Sequence, residues 1–363
     1  LFDLLLKNKD LLNVKDDKGL LPLHEAIKRK NTFILVRLIE NESSLNALSN
    51  DGMSAMSLAL QFGCFECADI LSSHGLQLSQ KIEGDDSVQR YFANPGILNI
   101  DNIKSNFYEK GNPWSHEQIG STNFYQTLGY LLKNKYDFNA NDSEGFSLLA
   151  RLISIGPNIG VEIVNDLLST IKIEPTYTDK NGNTLLHYIC SVSDAVRYLN
   201  TPDVYWGVKP NTKEYAGILV DIASQLVDSG IDINQANNEG LKPIAWSKGL
   251  LTKYLLTNKA ETKNVDGQGT SWLVYAAKEE LLDNRSLEYL FGESGGWNKF
   301  GLNLNAQDKD GNTTLHYLAI NRSNMSLNSV RKLLKLGANP LIKNNIGKTA
   351  TEIEKGLHNG KLG

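Results

Sequence analysis

Apolar residues along this chain recur at helical spacing in short runs, each closed by a glycine or a polar cluster. Val330, Leu333 and Leu334 fall on one stripe just before Gly337, where a glycine can end a helix by taking a left-handed backbone. Leu186 and Ile189 share a face in the same way, being three apart and therefore neighbours on a helix surface. Comparable runs at 33–40, 68–73, 125–133, 161–169 and 218–228 predict further helices. None of these runs nears the roughly 20 apolar residues that span a bilayer. The longest candidate, 216–227, is interrupted by Asp221 and Gln225.

A second pattern sits ahead of the helices. Eight times a turn glycine is followed, after one residue, by a small polar and apolar run that opens a helix. The clearest copies start at Gly182 (Asn183-Thr184-Leu185-Leu186-His187-Tyr188), Gly311 (Asn312-Thr313-Thr314-Leu315-His316-Tyr317) and Gly19 (Leu20-Leu21-Pro22-Leu23-His24). Weaker copies start at Gly52, Gly145, Gly240, Gly269 and Gly347, and the steps between the eight are 33, 93, 37, 58, 29, 42 and 36 residues. A period near 33 predicts stacked units of turn, helix, loop and helix, because one helix pair cannot bury its apolar face alone. Asn181-Gly182 suits the tight turn, Thr184 stands where a side chain can cap the helix, and Pro22 and Pro243 suit a first helical position.

These residues resemble the ankyrin repeat, with its Thr-Pro-Leu-His helix start and its Gly-Ala-Asp-Val-Asn exit. Matching exits are Gly230-Ile231-Asp232-Ile233-Asn234 and Gly337-Ala338-Asn339. The resemblance covers roughly two-thirds to three-quarters of the chain when windows of repeat length are counted. It implies an all-α, ankyrin-type helical solenoid of about seven to eight repeats with irregular insertions. Repeats are expected over 1–75 and 122–363, an insertion or degenerate repeat over 76–121, and further insertions near 193–213 and 292–301. The copies at Gly52, Gly145 and Gly269 lack the Thr and His, so those units are expected to lean on their neighbours.

Insertions in solenoids project from one face, often the binding face. Here they are rich in aromatic residues, the class that dominates interface hot spots: Tyr108 and Trp114 in the first, Tyr205 and Trp206 in the second, Trp297 in the third. These five, with the turn residues Lys180, Asn181, Asn237, Lys309 and Asp310, are the candidate partner contacts. The turn residues are expected to point into solvent. A column formed by Tyr188, Trp246, Tyr275 and Tyr317, each just after the His position, reads as packing between repeats or as a stripe along a groove.

Composition trims the alternatives. A formal charge of −4 and no dense basic tract argue against nucleic acid, which demands clustered Lys and Arg. Three cysteines are too few for a disulfide framework and point to a reducing compartment. Cys64-Phe65-Glu66-Cys67 reads as core packing, since neither a second such pair nor ligand-spaced histidines accompany it. His24, His187 and His316 hold the repeat's His position, and Cys190 beside His187 reads as packing. No phosphate-binding Gly-x-x-x-x-Gly-Lys is present. No catalytic residue, metal, cofactor or small-molecule substrate is therefore expected. The 38 asparagines read as genome bias.

The expected function is recognition of another protein by turns, first-helix faces and insertions. Composition and irregular repeats are similar to ankyrin effectors that intracellular bacteria deliver into host cells. That resemblance implies a host protein as partner and a location in the cytoplasm or the host cytosol. The chain begins at Leu1 inside a helical pattern and reads as a fragment. The alternative is accordingly a substrate-recruiting region of a larger enzyme whose catalytic domain lies outside it.

Overall fold

The structure is a computed structural model that describes residues 8–93, 123–159, 161–192, 212–282, 291, 300–321 and 327–359. Its regular elements are helices, joined by turns and four isolated β-bridges. The chain divides into two units, 1–148 and 149–363.

In the first unit, short α1 (Lys9–Leu12) precedes two full helix pairs: α2 (Pro22–Lys28) with α3 (Thr32–Glu40), and α4 (Ala55–Gln61) with α5 (Phe65–Ser73). α4 packs on α2 and α5 packs on α3, so like helices stack. A third first helix, α6 (Ser87–Ala93), packs on α4, and α7 (Asn123–Lys133) also touches α4. Ser54 and Ser87, 33 residues apart, meet hydroxyl to hydroxyl at 2.9 Å. One turn–helix unit thus stands within the long glycine gap, where Ile82 and Asp85 bridge across a tight turn. Its turn residue is Gly84, which the eight-glycine pattern passes over because Asp85-Asp86-Ser87 carries no Thr-Pro-Leu-His.

The second unit continues from α8 (Leu148–Ile159), which starts at the division, through α9 (Val161–Thr170), α10 (Leu185–Val192) and α11 (Thr212–Asp228). Then come a 3-10 turn (Pro243–Trp246), α12 (Gly249–Thr257), α13 (Trp272–Lys278), α14 (Thr314–Asn321), α15 (Leu327–Lys335) and α16 (Ala350–Asn359). First elements stack in the order α10, 3-10 turn, α13, α14, α16, while α9, α11 and α12 stack beside them. Their sealed faces make the core: Leu185, Leu186, Ile189, Ile222, Leu226, Leu255, Trp272 and Leu273 are all buried.

One unit departs from the pattern. A four-residue 3-10 turn replaces the first helix of seven or eight residues found in α10, α13 and α14. Trp272 compensates. Its indole is 1% exposed and its Nε1–H donates to the Ile244 carbonyl at 3.1 Å, filling the space beside the shortened turn.

Candidate interaction surface

The turn between repeats is built by its first residue. Asp179 accepts from the backbone N–H groups of Asn181 and Asn183, both at 2.8 Å. Asp308 repeats this with Asp310 and Asn312, Asp266 with Gln268 and Thr270, and Asp16 with Lys18 and Leu20. Such a carboxylate reinforces a turn that the backbone also closes, as the Gly182 N–H does on the Asp179 carbonyl at 2.9 Å. Tyr188 donates to Asp179 at 2.6 Å and Tyr317 to Asp308 at 2.5 Å, linking each turn to its first helix. Burial raises the Asp179 carboxyl, but donors from Tyr188 and Asn183 outweigh it and hold the group below the usual range. Burial and Asp308 push the Tyr317 phenol up to about 12.

Successive turns are fastened to one another. The Asn238 backbone N–H donates to the Asn181 carbonyl at 2.9 Å, and its side-chain amide donates to the Lys180 carbonyl at 3.0 Å. Asn345 does the same to Asp310 and Lys309, and Asn50 to Lys18 and Asp17. Close approach is possible because the receiving turn ends in glycine. A Cβ on Gly182, whose φ is +77°, would lie 2.6 Å from Asn238 Oδ1.

His24, His187 and His316 cap their first helices. His187 Nδ1 accepts from the Thr184 N–H at 3.0 Å while its Nε2–H donates to the Leu241 carbonyl of the next turn, also at 3.0 Å. The partners fix the neutral tautomer. His316 makes the same pair of bonds with Thr313 and Lys348. The capping part assigned to the Thr hydroxyl falls instead to the His ring, and Thr184 Oγ1 pairs with that ring at 2.9 Å. His24 Nδ1 accepts from Leu21, and burial lowers its pKa to about 4.

Lys180, Asn181, Lys309 and Asp310 stand exposed on their turns in the second unit. Asn237 does not. It is 8% exposed, its Oδ1 accepts from Glu239 and Leu241, and its Nδ2 donates to Asn183 at 2.8 Å. The expectation that it points into solvent is corrected for a reason of register: Asn237 is the anchoring residue equivalent to Asp179, and the exposed residues of its turn are Asn238 and Glu239. Tyr108, Trp114, Tyr205, Trp206 and Trp297 lie outside the described residues. In the aromatic column, Tyr275 and Tyr317 are buried, Tyr188 and Trp246 half-buried. Trp246 meets His187 edge to face at 5.4 Å, so packing accounts for that ring.

Cys64 and Cys67 are buried, as core packing requires, but a disulfide joins them. The two Cα atoms are 5.1 Å apart because both sit in one helical turn, a proximity that counting cysteines overlooks. The reducing-compartment reading loses its support from cysteine usage. Among the described residues, no three His, Cys, Asp or Glu side chains cluster as a metal site, and no helix is long and apolar enough to cross a membrane.

Comparison with known proteins agrees with the turn and helix geometry. A family model described as ankyrin repeats in three copies matches residues 1–82, and one described as ankyrin repeat matches residues 310–345. Residues 1–82 and 310–345 are thus ankyrin repeats, and the chain is similar to ankyrin-repeat proteins. It is similar to the putative ankyrin repeat protein L371 of Acanthamoeba polyphaga mimivirus, at 22% identity over 348 residues. That alignment takes in 94% of this chain but 36% of the viral protein, so the chain spans about a third of its relative's length. Among solved structures, the ankyrin repeat domain of Bcl-3, a member of the IkappaB protein family, is 18% identical. The match covers 72% of this chain and 97% of that one, with a TM-score of 0.40. The ankyrin repeat protein EF0377 is 20% identical, covering 62% and 96%, with a TM-score of 0.42.

Proposed function

We propose that the chain is a non-catalytic protein-recognition module whose partner is a host protein. The observation that carries this reading is the division of labour in the turns. Asp179, Asn183, Asn237, Asp308 and Asn312 hold the fold from within, which leaves Lys180, Asn181, Lys309 and Asp310 presented outward. Paired basic and acidic or amide groups on repeated turns suit the polar rim of an interface. The insertion aromatics Tyr108, Trp114, Tyr205, Trp206 and Trp297 would supply the anchors. A viral relative supports a role in an infected cell, and a delivered bacterial effector would make the same demand of its surface. The test is affinity capture from host lysate with three baits: the chain, a variant with Lys180, Asn181, Lys309 and Asp310 changed to Ala, and one with Trp114, Trp206 and Trp297 changed to Ala. Specific capture should be lost or weakened in at least one variant. Equal capture by all three would end the proposal.

A further inference from the structure

We propose that Cys64 and Cys67 form a thiol–disulfide exchange site that accepts a small dithiol as reductant and a low-molecular-weight disulfide as oxidant. The site is built at the start of α5. The equivalent start of α3 is capped in the ordinary way, with Asn31 accepting from the Ile34 N–H at 3.0 Å. Cys64 occupies the Asn31 position 33 residues on, and it makes no side-chain cap hydrogen bond. Its sulfur is bonded instead to Cys67, three residues into the same helix. A covalent link therefore replaces the hydrogen bond that would fasten the helix end.

Position gives the link its chemistry. Cys64 is the N-cap and Cys67 lies in the first turn of a nine-residue helix, where unpaired amides and the helix dipole favour a thiolate. Cys64 is 5% exposed and Cys67 0%, so exchange enters at the outer sulfur. A reductant thiolate attacks Cys64 Sγ. The Cys64–Cys67 bond breaks, its electron pair passing to Cys67 Sγ, which takes a proton from solvent. The second reductant thiolate then attacks the reductant sulfur of the mixed disulfide and releases Cys64 as a thiolate. One protein disulfide and one dithiol become two protein thiols and one reductant disulfide, and a small disulfide reverses the sequence. Cys190, by contrast, is buried within α10 and burial pushes its thiol up, which keeps it out of this exchange.

Reduction has a structural readout. α5 carries Phe65, stacked on Tyr130 with ring centroids 5.0 Å apart, and Asp69, which accepts from the Tyr130 hydroxyl at 2.8 Å. Opening the disulfide leaves α5 without a cap and loosens this clamp between α5 and α7.

The test uses the whole chain under native conditions. After treatment with excess glutathione disulfide, alkylation and mass analysis should find no label on Cys64 or Cys67. After dithiothreitol under native conditions, Cys64 should be labelled in the native protein and Cys67, as buried as Cys190, once denaturant is added for alkylation. Amide hydrogen exchange at residues 65–68 should become about fivefold faster on reduction, the factor that corresponds to losing a helix cap. A Cys64→Ser, Cys67→Ser double variant should show no response to dithiothreitol at these amides. Labelling of both cysteines despite the oxidant, reduction that needs denaturant, or unchanged amide exchange in the reduced protein would overturn the proposal.

Discussion

At the scale of the residue, glycine and asparagine do complementary work in the turns. Gly182→Ala forces an alanine to φ +77° and puts its Cβ 2.6 Å from Asn238 Oδ1. The backbone alone costs about 1–2 kcal/mol, and the contact adds to it. Gly347 has a similar φ of +76° but nothing within 4 Å of a Cβ, so Gly347→Ala should lose only the backbone part. Urea denaturation of the two variants should separate the contributions. Asn238→Ala removes a side-chain bond to the Lys180 carbonyl and should cost about 1 kcal/mol. From sequence alone the 38 asparagines read as genome bias. The partners of Asn50, Asn238 and Asn345 lie 33 to 58 residues away, beyond any local window. Asn13, Asn234 and Asn305 make similar long-range bonds to Ser44, Glu261 and Asn339.

At the scale of the element, helical stripes were legible and their ends less so. The run at 68–73 understates α5, which begins at Phe65, because Cys64 is an unusual cap. The run at 218–228 likewise understates α11, which begins at Thr212. Loss of a first helix after Gly240 left its mark in the 29-residue step, four short of the 33-residue period, but the role of Trp272 did not. Its partner Ile244 belongs to the preceding repeat. Trp272→Ala should leave a cavity and cost about 3–5 kcal/mol, read as a lower urea midpoint for the second unit. Lys30 follows α2 at φ +53°, where Gly63 follows α4 at +60°. Lys30→Gly should therefore raise stability by up to about 1 kcal/mol, measurable as a higher thermal midpoint.

At the scale of the whole chain, the buried histidines set a pH dependence. Burial lowers His24 to about 4 from 6.5 and lowers His187 as well, so the folded state holds both neutral. Their contribution is complete above 6.5, and it is lost as pH falls through the folded values. In the second unit, Asp179 and Asp266 carry lowered values, and their contributions are lost as pH drops below 3.8. In the first unit, burial raises Asp86 above 3.8, which opposes His24. The second unit should thus lose stability as pH falls below 6.5 towards the lowered His187 value. The slope in urea midpoint should be shallower in a His187→Gln variant, and an unchanged slope would contradict this assignment.

The bonds that Asn238 and Asn345 make to the preceding turn are received by main-chain oxygens. Asn345 grips the carbonyls of Lys309 and Asp310, and Asn238 those of Lys180 and Asn181. Those oxygens survive substitution, so the side chains of Asn181, Lys309 and Asp310 are not what fastens these turns. Replacing Lys309 and Asp310 together should shift stability by no more than about 0.5 kcal/mol, and a lineage bearing this chain can redraw its outward chemistry one codon at a time.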